Sequence, residues 1–420
     1  MTFKIRPNQQ PIYLGPSPDT AIILSYDSLR KLADANELAG ILRDIVRIPS
    51  HVDEPHGEER VATYLMELLR KEGIASELQY PLPKRPNVIG RIGGDRTQSI
   101  LLAGHIDINP PTGMTIPPFE GIIKNGRVYG RGALDMKGGV ASMTYALLLV
   151  KRLGLSLNGA AVFAGVMGEA IGGSEGAKYI AKNGPKTSMG IIGEPTGLNI
   201  VTAHKGMEWF DVIFEGKAAF GAFPWAGISA IDKAVDYIAE IKQSLLPKFK
   251  QRRHALVGEP TLNIGTIEGY GGHRRPNVVP DYCNISIDRR LVPGEKGEQA
   301  FNELEEIAEQ LRRRDKDFKA QVKRRPEMAG RAPMEVPSDH ALVKSLIKST
   351  KTVTGKATSV VGAPGFTDAS YLVNDGGIPT VVFGPGSDHG PTSYTEESIE
   401  IEELMNASLC YALTILDICE

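Results

Sequence analysis

Ile100-Leu-Leu-Ala-Gly-His-Ile-Asp107 is an apolar run that ends in an imidazole and a carboxylate. The apolar part is typical of a buried strand, and ligands in open α/β sheets bind at the carboxyl ends of strands. His105 thus follows the strand where a metal ligand is expected, and Asp107 could accept the second ring N–H of an imidazole. Taken alone, the pair could equally be a turn histidine beside an unrelated aspartate.

Three more carboxylates stand in similar positions further along the chain. Asp135 lies in the glycine-rich run Gly130-Arg-Gly-Ala-Leu-Asp-Met-Lys-Gly-Gly139, and Glu169 and Glu194 each follow an apolar run. Each has an ordinary interpretation, as a helix N-cap for Asp135 and as a surface acid for the other two. Together with His105 they form a set of strand-end ligands that suits divalent zinc, cobalt or manganese.

Size and composition limit the class of protein. The chain has 420 residues, which is long for one core and predicts two domains. Hydrophobic residues make up 41% and charged residues 23%, as is typical of globular proteins. The net charge of −2 predicts no general affinity for nucleic acid, and no apolar run reaches membrane-spanning length.

Cysteine usage and the N-terminus bear on location. Cys283, Cys410 and Cys419 form neither a paired framework nor a metal-binding spacing, and Met1–Asn8 lacks the apolar centre of a secretory signal. We therefore expect a protein of the reducing cytoplasm, without membrane or nucleic-acid partners. The short apolar run Ala21–Leu24 is interpreted as a strand or a packing segment of an N-terminal extension.

Strands and helices alternate through the first 200 residues. Helices are predicted at Glu37–Val46, with Asn36 as N-cap, and at Glu58–Glu72, followed by Gly73. Further apolar runs predict strands and one helix: Asn87–Ile92, Ile100–Ala103, the helix Gly139–Arg152, Ala160–Val166 and Gly190–Ile192. This order predicts an α/β sheet that is covered on both faces.

The pattern changes near Met207. Trp209–Phe214 and Asn284–Leu291 alternate with period two, and helices are predicted at about Ser229–Leu245 and Glu298–Arg313. The order strand, helix, strand, strand, helix, strand fits a small α+β domain with a split βαβ layout. After it, a helix at Asp339–Thr354 and a buried strand at Ile378–Phe383 return to α/β character. We expect residues 1–207 and 326–420 to form one α/β domain, with 208–325 inserted.

Six motifs resemble those of one hydrolase family. They are Gly104-His-Ile-Asp107, Tyr129-Gly-Arg-Gly-Ala-Leu-Asp-Met-Lys-Gly138, Gly193-Glu-Pro-Thr196, Asn277-Val-Val-Pro-Asp281, Gly365-Phe-Thr-Asp-Ala369 and Gly377-Ile-Pro-Thr-Val-Val-Phe-Gly-Pro-Gly386. The chain is similar, from about Glu37 to its end, to the metal-dependent amidohydrolase family of acetylornithine deacetylase, succinyl-diaminopimelate desuccinylase, aminoacylase and carboxypeptidase G. The resemblance implies a zinc-exopeptidase-like catalytic domain in two chain segments, interrupted by an α+β lid that commonly forms a homodimer.

The resemblance also implies roles for five residues. His105 and Glu194 would bind the first metal, and Asp135 would bridge two metals. Asp107 would orient His105. Glu169 would be the general base and acid that moves a proton from water to the leaving amine.

Four positions depart from the family pattern. By the resemblance, the second metal would take ligands at Ala170 and at Ser393, or at Thr392 if the loop shifts by one residue, and none of these residues suits that task. Phe220 stands where the family places an oxyanion-stabilising histidine, and Ser370 stands where many members have an arginine for a substrate carboxylate. His389, in the same loop as Ser393, is the candidate substitute ligand; otherwise it is a loop histidine that faces solvent.

These departures leave three hypotheses open. The first is a noncanonical enzyme that uses one divalent metal or none on an amide or related bond of a small amino-acid or N-acyl amino-acid derivative. The second is a catalytically silent relative that binds a small ligand, and the third is an ordinary two-metal hydrolase inactivated by engineering. Asn277 and Arg290, in the predicted lid, are the candidate substrate-binding residues, although arginines beside strands are more often plain surface charge.

Overall fold

The computed structural model describes residues 18–94, 98–170, 173–272, 274–326, 330–387 and 395–419. The helices are α1 (Pro18–Leu32), α2 (Ala35–Val46), α3 (Glu59–Lys71), α4 (Lys137–Leu153), α5 (Glu175–Asn183), α6 (Ala230–Glu240), α7 (Leu246–Phe249), α8 (Gly297–Arg314), α9 (Ala341–Thr354), α10 (Ala369–Asn374) and α11 (Ile401–Cys419). The strands are β1 (Ala75–Leu82), β2 (Arg85–Gly93), β3 (Ser99–His105), β4 (Ile122–Lys124), β5 (Arg127–Tyr129), β6 (Ala160–Val166), β7 (Met189–Ile192), β8 (Ile200–His204), β9 (Gly206–Glu215), β10 (Thr261–Tyr270), β11 (Tyr282–Leu291), β12 (Lys319–Arg324), β13 (Met334–Glu335), β14 (Val360–Ala363), β15 (Thr380–Val382) and β16 (Ser398–Glu400). No helix in the described ranges has the length and apolar character needed to cross a bilayer.

A nine-stranded mixed sheet organises the first and last parts of the chain. Its order is β1-β2-β6-β3-β7-β15-β8-β13, with β14 also paired to β8. β3 runs parallel to β6 and to β7, with His105 opposite Val166 and Ala103 opposite Ile192. The carboxyl ends of these three strands therefore lie together, and the residues that follow them meet at one end of the sheet.

Both faces of β3 are covered, because every residue of the strand is buried. Ile100 and Leu102 belong to the core shared with α2, α4 and α11, whereas Leu101 and Ala103 belong to the core shared with α5 and α10. Side chains alternate between the faces of a strand, so an uninterrupted apolar run serves both cores. The predicted α/β class is confirmed.

One local prediction near the N-terminus is wrong, and for a second segment the packing alternative is confirmed and the strand alternative is not. The N-cap of α2 is Asp34, whose side chain accepts the backbone N–H of Asn36 at 2.8 Å, so Asn36 itself lies inside the helix. The run Ala21–Leu24 is not a strand but part of α1. Ile22 and Leu29 of that helix are buried and lie seven residues apart, which is the spacing of one helical face.

A separate four-stranded antiparallel sheet lies between β8 and β13 in the sequence. Its order is β10-β11-β9-β12, and the chain order β9, α6, β10, β11, α8, β12 is the predicted α+β arrangement. Alternate residues of β9, including Phe210 and Phe214, pack with Tyr237 of α6 and Leu304 of α8. The limits 208–325 and a role in dimerisation remain predictions.

Candidate metal centre and active site

Four side chains from separate segments converge at the carboxyl ends of β3, β6 and β7. His105 Nε2 lies 3.1 Å from Asp135 Oδ1, 3.6 Å from Glu194 Oε1 and 3.8 Å from Glu169 Oε2. One ligand atom each from His105, Glu169 and Glu194 lies within 4.8 Å of the others, and this is the one such group of three found among the described residues. The strand register brings these groups together although Glu194 is 89 residues from His105 along the chain.

Two contacts hold the start of α4 in place, one beside the end of β7 and one at the end of α2. A Cβ at Gly139 would collide with the main-chain carbonyl of Gly193, so only glycine allows this close approach. Lys137 is fully buried, and its ammonium donates to two main-chain carbonyls at and just after the end of α2, each at 2.8 Å. Burial lowers the pKa of Lys137 to about 7. These contacts place Asp135, just before α4, beside Glu194, just after Gly193.

Asp107 acts through two different groups. Its main-chain carbonyl lies 2.9 Å from His105 Nδ1, whereas its carboxylate is 3.6 Å from that nitrogen. The ring N–H thus donates to the carbonyl, and Nε2 faces the carboxylates. The carboxylate of Asp107 instead accepts the backbone N–H groups of Gly168, Glu169 and Ala170 at 3.0, 3.1 and 2.8 Å. Asp107 therefore fixes the ring of His105 and also the segment that carries Glu169.

The site holds more negative than positive charge. Burial raises the pKa of Glu169 to about 8 and raises the pKa of Glu194 well above its usual value. Burial alone would lower the pKa of His105, but the charges of Glu194, Asp135 and Glu169 outweigh it and raise the pKa well above the ordinary value. The buried Asp368 adds a further carboxyl, whose own pKa burial raises to about 6. Such a cluster favours a bound cation.

Glu397 supports the site from the far end of the chain, and no sequence pattern marked it. Its buried carboxylate accepts the backbone N–H groups of Gly132, Leu134 and Asp135 at 2.9, 2.9 and 3.0 Å, and a side-chain hydrogen bond from Arg131 at 3.0 Å. The loop before α4 is thus bound by one carboxylate through four hydrogen bonds. Three of its partners are backbone groups, which carry no signal in the sequence.

The donor set fits one divalent ion. One imidazole nitrogen and several carboxylate oxygens are ligands that zinc, cobalt and manganese accept. Burial raises the pKa values of Glu169 and Glu194, and a divalent cation beside them would favour their charged forms. His105, Asp135 and Glu194 would hold it. Ala170 follows Glu169 directly and offers no donor toward a second ion.

A cavity of about 360 Å³ opens beside the cluster. Asp135, Glu169 and Glu194 line one part of it. The other part is formed by residues of β8, β14, β15 and the segment after β14: Val201, Val361, Gly362, Ala363, Pro364, Gly365, Phe366, Thr367 and Val382. A small organic molecule is of the right size for such a space.

Comparison with known proteins agrees with this geometry. The model of peptidase family M20/M25/M40 matches residues 101–417. The chain belongs to this family. A probable succinyl-diaminopimelate desuccinylase of Staphylococcus epidermidis is 27% identical over 372 residues, covering 82% of this chain and 89% of the relative. A probable carboxypeptidase of Aspergillus flavus is 32% identical over 297 residues, covering 64% of this chain and 67% of the relative.

Solved structures of M20 and related peptidases share the fold. Aminopeptidase PepT of Bacillus cereus superposes with a TM-score of 0.74 at 22% identity, covering 92% of this chain and 99% of that chain. At this level of identity the likeness shows the fold alone. The M20 family membership makes this chain an amidohydrolase or peptidase relative, and the family generally binds zinc or other divalent metals.

Three of the positions that are expected to depart from the family pattern can be placed. The backbone of Ala170 is held by Asp107, with only a methyl group beyond it. Phe220 is 57% exposed, and its ring lies tilted against that of Phe223, 6.2 Å between ring centroids. A phenyl ring has no hydrogen-bond donor. Ser370 is buried in α10 and donates its hydroxyl to the main chain of residue 332 at 2.7 Å, which makes it part of the scaffold.

The remaining candidates are less closely tied to the cluster. His389 and Ser393 lie outside the described residues. Asn277 is exposed in a turn, and its main-chain carbonyl accepts the N–H of Gly221 at 2.7 Å. The guanidinium of Arg290 pairs with Asp288 on the same strand, at 2.9 Å. Neither Asn277 nor Arg290 lines the cavity beside the cluster, and their assignment to substrate binding stays a prediction.

Proposed function

We propose that the protein hydrolyses an amide or related bond of a small amino-acid derivative. In this proposal at most one divalent ion is held by His105, Asp135 and Glu194, and Glu169 is the general base and acid. The observation that carries it is the convergence of these four groups, three of which line one cavity. Ala170, the residue after Glu169, has no donor for a second ion. A one-metal site with three protein ligands is sufficient for hydrolysis in other proteins.

The residues of the site divide the chemistry between them. When bound, a divalent ion supplies Lewis acidity that polarises a carbonyl oxygen. Glu169, held in place through its backbone by Asp107, takes a proton from the attacking water and delivers it to the leaving amine nitrogen. Burial raises the pKa of Glu169 to about 8, so its protonated form is also accessible near neutral pH, as an acid-base catalyst requires.

In this proposal the lid contributes less to stabilising the transition state than the family resemblance implies for other members. The family resemblance puts an oxyanion donor at the position of Phe220, which has none. The absence of one such donor typically costs about 10²–10³ in rate. We therefore expect slow turnover compared with ordinary two-metal hydrolases.

The test is hydrolysis of a panel of N-acyl amino acids and dipeptides by the zinc-loaded protein. Glu169→Gln should reduce kcat by about 10²–10⁴ while zinc binding is retained. The matched control is Glu175→Gln, an acid-to-amide change six residues further along, on the half-exposed face of α5. If the native protein binds these compounds specifically but does not hydrolyse them, the second candidate function is favoured, that of a catalytically silent ligand-binding relative. The absence of a metal-binding group at Ala170 is also consistent with that candidate.

We further propose a cytoplasmic homodimer joined through residues 208–325. β10 is an edge strand of the four-stranded sheet, and Ile267 on it is 54% exposed, which supports an interface there. Three buried, unpaired cysteines support a reducing compartment. Light scattering that gives a monomer at micromolar concentration would count against the dimer.

A further inference from the structure

We infer that the cavity beside the cluster receives an uncharged, apolar group of the substrate. The substrate would then be an amide whose acyl group or amino-acid side chain is apolar, rather than acidic or basic. This inference rests on the proposed hydrolysis at the same site and adds the substrate class to it.

Part of the cavity wall is apolar and belongs to regular structure. Val201 lies on β8, Val361 on β14 and Val382 on β15, so three paired strands present this surface. Because the strands are joined by backbone hydrogen bonds, the surface is preformed. A preformed apolar wall favours a ligand that fills it with carbon atoms.

Phe366 completes this wall in a fixed orientation. Its ring lies edge-on to His204 at 5.5 Å and to Tyr371 at 5.6 Å between ring centroids. The guanidinium of Arg331 lies over the same ring, 5.1 Å from its centre. Contacts on several sides keep the phenyl ring from turning away, so it can serve as a specific surface for an apolar group.

No described residue that lines the cavity is Lys, Arg or His. Its neutral polar side chains each make a local hydrogen bond. The hydroxyls of Thr196 and Thr367 accept the N–H groups of Gly384 and Ala369 at 3.1 and 3.3 Å, and the amide of Asn199 donates to the carbonyl of Thr196 at 3.0 Å. An acidic substrate group would find no cationic side chain among these lining residues and would lie close to the carboxylates, which is unfavourable. Ser370 cannot compensate, since its hydroxyl is bound within the scaffold.

A basic substrate group meets a different obstacle. The anionic groups in the cavity are Asp135, Glu169 and Glu194, which include the proposed ligands of the divalent ion. An ammonium group would compete with that ion for the same carboxylates. The rest of the wall consists of carbon atoms and of polar groups that already have hydrogen-bond partners. The cavity therefore suits a neutral, apolar substituent better than an acidic or a basic one.

The test is direct binding to the zinc-loaded Glu169→Gln protein by calorimetry, which needs no turnover. One series varies the acyl group on glycine as pentanoyl, succinyl and 5-aminopentanoyl; the other varies the amino acid in N-acetyl-leucine, -aspartate and -lysine. In at least one series the apolar member should bind at least about tenfold more tightly than both charged members. Charged members that bind as tightly in both series, or no binding by either apolar member, would overturn the inference.

Val361→Arg provides a second, independent measurement. Val361 is half-buried on β14, so the new side chain can reach the cavity without entering a closed core. Val361→Arg should weaken binding of the apolar ligand about tenfold and improve binding of the acidic ligand of the same series. The control Val361→Ile should keep the order of affinities seen in the native protein. Melting temperature and zinc content confirm folding. An unchanged order of affinities in Val361→Arg would contradict the inference. If the ligands bind as expected but the native protein hydrolyses none of them, only the proposed function is contradicted.

Discussion

The carboxylate of Asp107 accepts the backbone N–H of Glu169 at 3.1 Å, and the same carboxylate accepts the N–H groups on either side of it. A single buried acid thus holds three consecutive backbone groups at the end of β6. The main-chain carbonyl of Asp107 at the same time holds the ring of His105. One residue therefore positions both the proposed proton carrier and a proposed metal ligand, by separate atoms.

Asp107→Asn separates these two actions. The carbonyl that orients His105 stays, whereas the new amide NH₂ faces backbone donors that the carboxylate used to satisfy. We expect kcat to fall about 10- to 100-fold with zinc content near that of the native protein, measured by steady-state kinetics and elemental analysis. Asp417→Asn on α11 is the acid-to-amide control. A native kcat in Asp107→Asn would show that the backbone bonds do not position Glu169.

Glu397→Gln should weaken metal binding from a distance. The carboxylate of Glu397 accepts three backbone N–H groups of the loop that ends at Asp135, and an amide cannot accept all of them equally well. We expect zinc affinity, measured by competition with a chromogenic chelator, to fall about 10- to 100-fold. The exposed neighbour Glu396→Gln is the control. Equal affinities in the two variants would assign Glu397 to stability alone.

The meeting of the strand-end side chains could be predicted from sequence because they follow strands whose burial is visible as apolar runs. His105, Glu169 and Glu194 were found this way, and parallel pairing of β3 with β6 and β7 explains why they meet. Glu397 could not be found, since its partners are mostly backbone groups distant in the chain. The α1 helix was missed because four apolar residues in a row fit a strand as well as a helix, and only burial of Ile22 with Leu29 distinguishes them.

The protein should bind at most one zinc ion per chain and should release protons when it does so. After dialysis against micromolar zinc, elemental analysis should give about one ion per chain or fewer, since Ala170 supplies no ligand. The pKa values of the proposed ligands Glu194 and His105 are raised, so these groups carry protons near neutral pH that must leave when a cation binds. The charge of the cation also favours loss of the proton from the neighbouring Glu169, whose pKa is about 8. Affinity should therefore rise with pH through about 8.

Calorimetric titrations in two buffers of different ionisation enthalpy measure that release. At pH 7 we expect at least one proton to leave per zinc ion bound, and fewer as the pH approaches 9. Glu175→Gln should behave as the native protein does. Two ions per chain, or binding without proton release, would contradict this picture and make ordinary two-metal hydrolysis the better interpretation.

His204 should make the fold sensitive to acid. It is fully buried on β8, its Nδ1–H donates to the carbonyl of Lys205 at 3.0 Å, and burial lowers its pKa to about 4. Between that value and the unfolded pKa near 6.5 only the unfolded state binds the proton, so the free energy of unfolding falls as the pH falls. The loss amounts to about 3 kcal/mol, at 1.36 kcal/mol per pKa unit. Urea unfolding at pH 7 and pH 4.5 measures this loss of free energy. It should appear in the native protein and in the control His56→Gln, which changes an exposed histidine, and should be much smaller in His204→Gln. The same loss in all three proteins would mean that other buried groups cause the acid sensitivity.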